Sequence, residues 1–386
     1  MTEIHVLSAA RTAIGAFGGA LASVPPCDLG TAVARAAIER AGIDPASVDQ
    51  TAFGTVIQTE PRDMYLSRVA AMGAGVPETA PALNVNRLCG SGLQAVVSMV
   101  QAIETGHAEV ALAGGAESMS RAPFALPGVR FGTRMGDAAA VDMMLGALNC
   151  PFGTGHMGVT AENVAERYGV SREDQDAFAL RSQERAAEAI AEGRFADQIV
   201  PVEVRGRKGT ATFDTDEHPK PSSADGLAAL RPAFQKDGTV TAGNASGIND
   251  GAAALVLAVP GHGDPIARIV GYGLGGVGPE VMGLGPIPAC RDLFERTGLG
   301  PDDFDVIESN EAFAAQAIAV TRELGFDPER VNPNGGAIAL GHPVGASGAI
   351  ILTKAIHELQ RIGGRRALAT MCIGGGQGIA VAIEAV

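Results

Sequence analysis

Two cysteines, one histidine and one asparagine of this 386-residue chain stand where their chemistry could be used. Cys89 follows an extended apolar stretch, ALNV, and precedes Gly–Ser–Gly and an apolar, helix-like run, LQAVVSMVQAIETG. That pattern sets a thiol at a helix N-terminus, where free N–H groups and aligned peptide dipoles favour a nucleophilic thiolate. It equally describes a core cysteine at a strand–helix turn. His342 lies in a glycine-rich loop, NPNGGAIALGHPVGASGA. A lone loop histidine is more often structural, but a neutral imidazole beside a thiol accepts its proton and activates the sulfur. Cys372 ends a strand and runs into three glycines, MCIGGGQG. A thiol there can move protons, and the N–H groups of Gly374 and its neighbours can form an anion-binding nest. A small buried hydrophobe before a turn fits as well. Asn310, in ESNEAFAAQA, lies between a strand and an apolar helix. It reads either as a helix N-cap or as the holder of a water that donates to an oxyanion.

The elements that must position these residues occur twice. AGIDPASVD at 41–49 resembles TGLGPDDFD at 297–305, and CGSG at 89–92 resembles GASG at 345–348, both at an offset of 256 residues. Each tetrapeptide opens a helix-like run that leads to a strand and then to glycines, AEVALAGGAES in one copy and RRALATMCIGGGQG in the other. The final strand of the second copy, IAVAIEAV, follows at once, whereas its counterpart GAAALVLAV appears only at 251–259. About 130 residues are therefore inserted late in the first copy. The insert carries an amphipathic stretch, SREDQDAFALRSQERAAEAIAEG, with a serine at its start that suits an N-cap. RGRKG and FDTDEHPKP within it read as loops, and PGHGDP at 260–265 joins the halves. The expected class is α/β, with two similar halves that bring the Cys89 loop and the His342 loop to one site.

Composition narrows the classes of function. Forty-six per cent of residues are hydrophobic, enough for a large buried core. Net charge is −14, Trp is absent and aromatics make up 4%, which speaks against nucleic acid and anionic membranes as partners. The five cysteines form no CxxC pair, so neither a zinc cluster nor a disulfide scaffold is expected. The opening residues lack the basic region and apolar stretch of a secretory signal, and no apolar run reaches 18 residues. The expectation is a cytoplasmic chain with reduced thiols and no metal.

VNRLCGSGLQA, NEAFAAQ, NPNGGAIALGHPVGASGA and CIGGGQG together resemble the thiolase family, in its order and spacing. GGAESMSRAP, HMGVTAENVA and TVTAGNASGINDGAAA extend the resemblance over the whole chain. It implies a thiolase fold: two duplicated βαβαβαββ-type halves in a five-layer αβαβα core, plus an inserted loop domain. Residues 1–118 and 245–260 would form the N-terminal half, 119–244 the loop domain for coenzyme A binding and tetramerisation, and 265–386 the C-terminal half. By the same resemblance, Cys89 carries the acyl group as a thioester and His342 activates it. Asn310 positions an oxyanion-hole water, and Cys372 removes or returns the α-proton of the acetyl group. A second oxyanion hole would use the N–H groups of Cys89 and Gly374. The implied reaction is reversible thiolytic cleavage or Claisen condensation of 3-ketoacyl-CoA and acetyl-CoA, with coenzyme A as substrate and no tightly bound cofactor.

For the ligand, the resemblance points to His156, Met157 and Ser246 against pantetheine. Lys220, Arg205, Arg207, Lys208 and Arg231 are candidates for its phosphates, although RGRKG reads first as a solvated loop. Leu88, Leu148, Met157 and Met282 are expected at the acyl pocket. Arg121, Arg130 and Arg134 fall in the segment that makes the tetramer loop of biosynthetic thiolases, so a homotetramer is expected, or failing that a dimer. VIQTEPRDMYLSRVA and RMGDAAAVDMMLGALNCPF resemble the bacterial broad-range 3-ketothiolases, including those that feed polyhydroxyalkanoate synthesis; the short 260–265 connection departs from them. The alternatives are a degradative thiolase of β-oxidation, a ketoacyl synthase, a cysteine hydrolase and a non-catalytic acyl-CoA-binding protein. Cys372 counts against the synthase, and the presence of all three reactive side chains counts against the binding protein.

Overall fold

Strands made largely of Ala, Gly and Val, apolar on both faces, must be covered by helices on both sides. The computed structural model, which describes residues 2–206 and 209–386, shows that arrangement. Nine strands make one hydrogen-bonded path: β1 (Ile4–Thr12), β2 (Gln50–Gly54), β3 (Ala82–Val85), β4 (Val110–Ser118), β5 (Asn249–Ala258), β6 (Ala267–Gly276), β7 (Val306–Ser309), β8 (Arg366–Ile373) and β9 (Gln377–Glu384). Their order is β7-β8-β9-β6-β1-β5-β4-β2-β3. In each half the first strand pairs antiparallel with the last, the last pairs antiparallel with the one before it, and the remaining pairs are parallel. The halves meet where Ile4–Val6 of β1 pairs with Ala267–Ile269 of β6. The linker from β5 to β6 therefore crosses the end of a single strand. PGHGDP is long enough for that step.

The repeat is visible in the helix ends. Helix α1 (Pro26–Ala41) stops at Gly42, with φ 65°, and α3 (Pro286–Thr297) stops at Gly298, with φ 72°. Both glycines adopt the left-handed conformation that suits a helix C-terminus. A short 3-10 turn then leads into β2 or β7. Helix α1 covers the outer face of the N-terminal half-sheet. Helices α3 and α4 (Ala314–Leu324) cover the outer face of the C-terminal one. The remaining pair, α2 (Ser91–Glu104) and α5 (Ser347–Ile362), lies between the half-sheets, in one apolar core shared by both. This is the five-layer αβαβα arrangement.

The central helices cross at glycines that occupy matching places in the repeat. A Cβ on Gly92 would lie 2.6 Å from the Ala349 backbone nitrogen, and one on Gly348 would lie 2.3 Å from that of Leu93. Only glycine allows this approach.

The insert packs on the rim through paired short strands and two longer helices, Met157–Tyr168 and Arg172–Ala191, the latter capped by the Ser171 side chain as its sequence suggested. RGRKG was expected to be a loop. Instead Val202–Gly206 and Gly209–Phe213 form an antiparallel hairpin whose apolar side, Val202 and Val204, joins the N-terminal outer core. Arg205 is thus an exposed strand residue, while Arg207 and Lys208 lie outside the described residues. The insert is pinned by a buried pair: Arg11 donates to both Asp216 oxygens, at 2.7 and 2.9 Å. No helix among the described residues is long and apolar enough to cross a membrane.

Gly348→Ala forces backbone apart at the centre of the fold. It is expected to lower the unfolding free energy by about 1–3 kcal/mol, the usual cost of overpacking. An unchanged denaturant midpoint would show that the central helices separate freely.

Candidate active site

The ends of β3 and α2 hold Cys89 in a tight elbow. Leu88, just before it, has φ 47°, a left-handed conformation unusual for a side chain branched beyond Cβ. Ser91 locks the turn: its hydroxyl accepts from the Arg87 N–H at 2.9 Å and donates to the Leu88 carbonyl at 2.6 Å. Cys89 thus precedes the first helical residue and lines a largely apolar cavity of about 240 Å³. His342, Cys372 and Gly374 line the same cavity. Three loops far apart in sequence converge there because the half-sheets face each other across α2 and α5.

Electrostatics at Cys89 differ from the helix-terminus expectation. Burial pushes its thiol above the ordinary value, and the Glu117 carboxylate adds to that. The N–H groups of Gly374 and of Cys89 itself pull the other way, because both face the sulfur. The free thiol is therefore protonated, and the two N–H groups are preorganised for negative charge beside it. Cys372 is pushed up as well, by burial and by its nearness to Cys89.

His342 is buried and held down at about 4 by desolvation, so its ring is neutral. Its tautomer follows from its neighbours. The Ser347 hydroxyl donates to the Pro343 carbonyl at 2.9 Å, which leaves it to accept from His342 Nδ1–H at 2.6 Å. Nε2 is then an unprotonated acceptor, and among the described residues it has no partner of its own. The His342 backbone N–H is fixed by the Asn249 side chain at 2.9 Å. Neither Ser347 nor Asn249 was expected from sequence. A serine five residues after the histidine, at the start of an apolar helix, was the available signal for the first.

Asn310 is not a helix N-cap; Phe313 occupies that place before α4. Its backbone N–H extends the β7–β8 pairing to the Thr370 carbonyl, and its side chain is buried. Asn310 does not line the cavity of Cys89. It faces an adjoining pocket of about 10 Å³, walled also by Gly341 and Ser347. That is room for about one water, and Asn310 Nδ2 lacks a protein partner. The neighbouring Glu311 is an anchor: it accepts from Ser182 and Asn332, at 2.7 and 2.8 Å.

His156, Met157 and Ser246 line the cavity of Cys89, as do Leu88, Leu148 and Met282. His156 stacks on Phe234 at 4.7 Å, forming an aromatic wall that sequence reading missed. Lys220 instead lines a separate groove of about 420 Å³, with His218, Ser222 and Ser223 on one side and Leu227, Leu230 and Ile338 as apolar lining. Ala245 and Gly247 line both, so groove and cavity share a wall. Arg205 and Arg231 line neither. Arg121 is tied inward, to Glu60 at 3.1 Å. Among the described residues no cluster of side chains suits a metal ion.

Comparison with known proteins fits this geometry. The family model for the thiolase N-terminal domain matches residues 4–260, and that for the C-terminal domain matches 263–385. The chain belongs to the thiolase family. Among its relatives, the beta-ketothiolase BktB of Cupriavidus necator is 59% identical, with 99% of each chain covered. An acetyl-CoA acetyltransferase of Escherichia coli is 52% identical over 100% of this chain and 99% of that one. Human mitochondrial 3-ketoacyl-CoA thiolase superposes with a TM-score of 0.98 at 44% identity, covering 100% of this chain and 99% of that one. Its structure in complex with CoA gives 0.97 at 44%, covering 100% and 98%. This thiolase thus has the duplicated fold that its repeat implied.

A neutral buried His342 has a consequence for stability. Unfolded imidazole takes up a proton below about pH 6.5, whereas the folded ring resists down to about 4. The unfolded chain therefore binds more protons in that window, and this contribution to stability falls as pH falls through it. His342→Asn is expected to flatten that part of the slope in urea titrations at stepped pH. Parallel slopes for the two proteins would contradict a neutral ring.

Proposed function

We propose that the chain is a biosynthetic-type thiolase that condenses acetyl-CoA, and cleaves acetoacetyl-CoA and somewhat longer 3-ketoacyl-CoAs, through an acyl group on Cys89. The observation that carries this reading is two thiols and a neutral imidazole in one apolar cavity, with N–H groups facing one sulfur. In the first half-reaction Cys89 passes its proton to His342 Nε2 and its sulfur attacks the thioester carbonyl. The tetrahedral oxyanion collapses to the Cys89 thioester, its oxygen held by the N–H groups of Cys89 and Gly374. The departing coenzyme A thiolate takes the proton of Cys372. In the second, the Cys372 thiolate removes an α-proton from a new acetyl-CoA. The enolate oxygen rests on protonated His342 and on a water held by Asn310. Its carbon attacks the Cys89 thioester, and the sulfur leaves with the proton of His342. Every proton is returned, and charge exists only as a buried pair.

The lipophilic wall of Leu88, Leu148, Met157 and Met282 suits an acyl chain, and methionine adapts to several lengths. Pantetheine would run past His156 and Ser246 toward Lys220, with the phosphates in the outer groove. The identities of 59% and 52% to a beta-ketothiolase and an acetyl-CoA acetyltransferase favour the biosynthetic type over the degradative one. A tetramer is supported by apolar side chains left bare on the insert: Phe131 and Met135 are each 95% exposed, beside Phe124 and Leu145. Such a patch suits burial against another copy. A double change, Phe131→Glu with Met135→Glu, is expected to halve the mass seen by light scattering; an unchanged mass would place the interface elsewhere.

With acetyl-CoA, intact-protein mass spectrometry is expected to show one acetyl group on the wild type and none on Cys89→Ala. Cys372→Ala should still acetylate, more slowly because the departing thiolate leaves without its proton, but lose condensation by roughly 10²–10⁴-fold, the range for a general acid–base. An adduct that survives Cys89→Ala, or equal loss of both half-reactions in Cys372→Ala, would sink the assignment.

A further inference from the structure

Glu117 ends β4, is fully buried, and has no place in the scheme above. Its two oxygens accept three backbone N–H groups: Oε2 from Val56 and Gly345, both at 2.9 Å, and Oε1 from Ile57 at 3.1 Å. Val56 and Ile57 belong to the N-terminal half. Gly345 belongs to the His342 loop of the C-terminal half, three residues past the imidazole. The fit is tight: a Cβ on Gly345 would lie 2.4 Å from Glu117 Oε2. No basic side chain pairs with this carboxylate among the described residues.

A second tie runs the other way. Gln377 opens β9 in the C-terminal half. Its Oε1 accepts from Arg87 Nε at 3.3 Å, and Arg87 lies in the Cys89 loop of the N-terminal half. Each half thus holds the other half's reactive loop, though from different places in the repeat: Glu117 pairs with Gly251, and Gln377 pairs with Ile373, the residue that matches Glu117.

We propose that Glu117 and Gln377 form a reciprocal latch across the two halves, in which Glu117 positions the His342 loop and Gln377 the Cys89 loop. Both are positioning residues; neither touches the reacting atoms. The role rests on the reading of Cys89 as the acylated nucleophile. Burial is the main cause that keeps the Cys89 thiol protonated, and the Glu117 charge adds to it. The two ties differ for a physical reason. The His342 loop offers only a backbone N–H at Gly345, which a carboxylate holds best. The Cys89 loop offers a guanidinium, and a second carboxylate there would add another negative charge beside the nucleophile. The ionisable groups facing Glu117 are the Cys89 thiol and the Asp63 carboxyl. Burial moves Glu117 up to about 7, against the pull of its three N–H donors and with Asp63 adding to the rise, so its charge is present from neutral pH upward.

The test is the pH profile of Cys89 alkylation by iodoacetamide, read by peptide mass mapping, beside condensation kinetics. Glu117→Gln keeps the shape but removes the charge and turns an acceptor toward the Ile57 N–H into a donor. Its labelling curve is expected to move to lower pH, and its kcat to fall at least tenfold while KM for acetyl-CoA changes less than twofold. Glu117→Asp keeps the charge and shortens the arm, so the labelling curve should stay near wild type while kcat falls. Gln377→Ala should lower kcat and leave the labelling curve in place. A wild-type labelling curve in Glu117→Gln overturns the electrostatic role, and a wild-type kcat in that variant overturns the latch. Should Glu117→Gln fail to melt cooperatively, Gln377→Ala decides, and unchanged turnover there overturns the reciprocal arrangement. The labelling arm needs no thioester chemistry, so a wild-type protein that labels at Cys89 but never acetylates counts against the functional reading alone.

Discussion

Everything at the active site depends on two helices touching backbone to backbone. Gly92 and Gly348 bring α2 and α5 within a distance that no side chain permits. The N-terminal ends of both helices, and the loops that feed them, are thereby pressed to a common centre. One loop carries Cys89 and the other His342. Move the helices apart by the width of a methyl group, and Cys89 and His342 no longer line one cavity. Many glycines of this chain serve turns and helix ends; these two serve the pseudo-twofold crossing.

That centre is dry, and dryness sets its resting chemistry. Burial disfavours charge of either sign, so both thiols are pushed toward the neutral form and the imidazole is kept unprotonated. A thiol in such a place cannot rely on a helix dipole to ionise. A neighbouring neutral base is the alternative. Ser347 and Pro343 dictate the tautomer of His342 and leave its Nε2 bare to accept a proton. The polar groups of the site are correspondingly few and fixed. Among the described residues, His342 Nε2 and Asn310 Nδ2 have no protein partner, and neither do Glu308 Oε1 and Ser309 Oγ beside Asn310.

The insert supplies what a symmetric core lacks. The insert, clamped to β1 by the Arg11–Asp216 pair, adds the aromatic wall of His156 and Phe234 and the outer groove beside Lys220. Where the chain leaves the insert, a single bridge pairs Ala245 with Phe313, and the Ser246 N–H donates to the Ala312 carbonyl. The ligand wall is thus tied to the segment that carries Asn310.

Local pattern was enough for much of this. Motif and repeat placed Cys89, His342, Cys372 and Gly374, because a duplicated strand–loop–helix unit is written in short-range spacing, and the left-handed glycines at 42 and 298 mark its helix ends. The hairpin at 202–213 was misread because its strands are short and polar on one face, and its pairing depends on packing that sequence does not display. Asn310 was ambiguous for the same reason: whether a residue before a helix caps it or points elsewhere depends on where the chain enters, and the entry is set by pairing with Thr370. By itself, then, the sequence determined the duplicated α/β architecture and the loops that carry Cys89, His342 and Cys372 to one cavity. Tertiary structure alone decided that the thiols rest protonated, which nitrogen of His342 is free, and that Glu117 of one half holds the loop of the other. Those outcomes turn on burial and on hydrogen bonds between residues hundreds of positions apart, and neither is a property of any local stretch of chain.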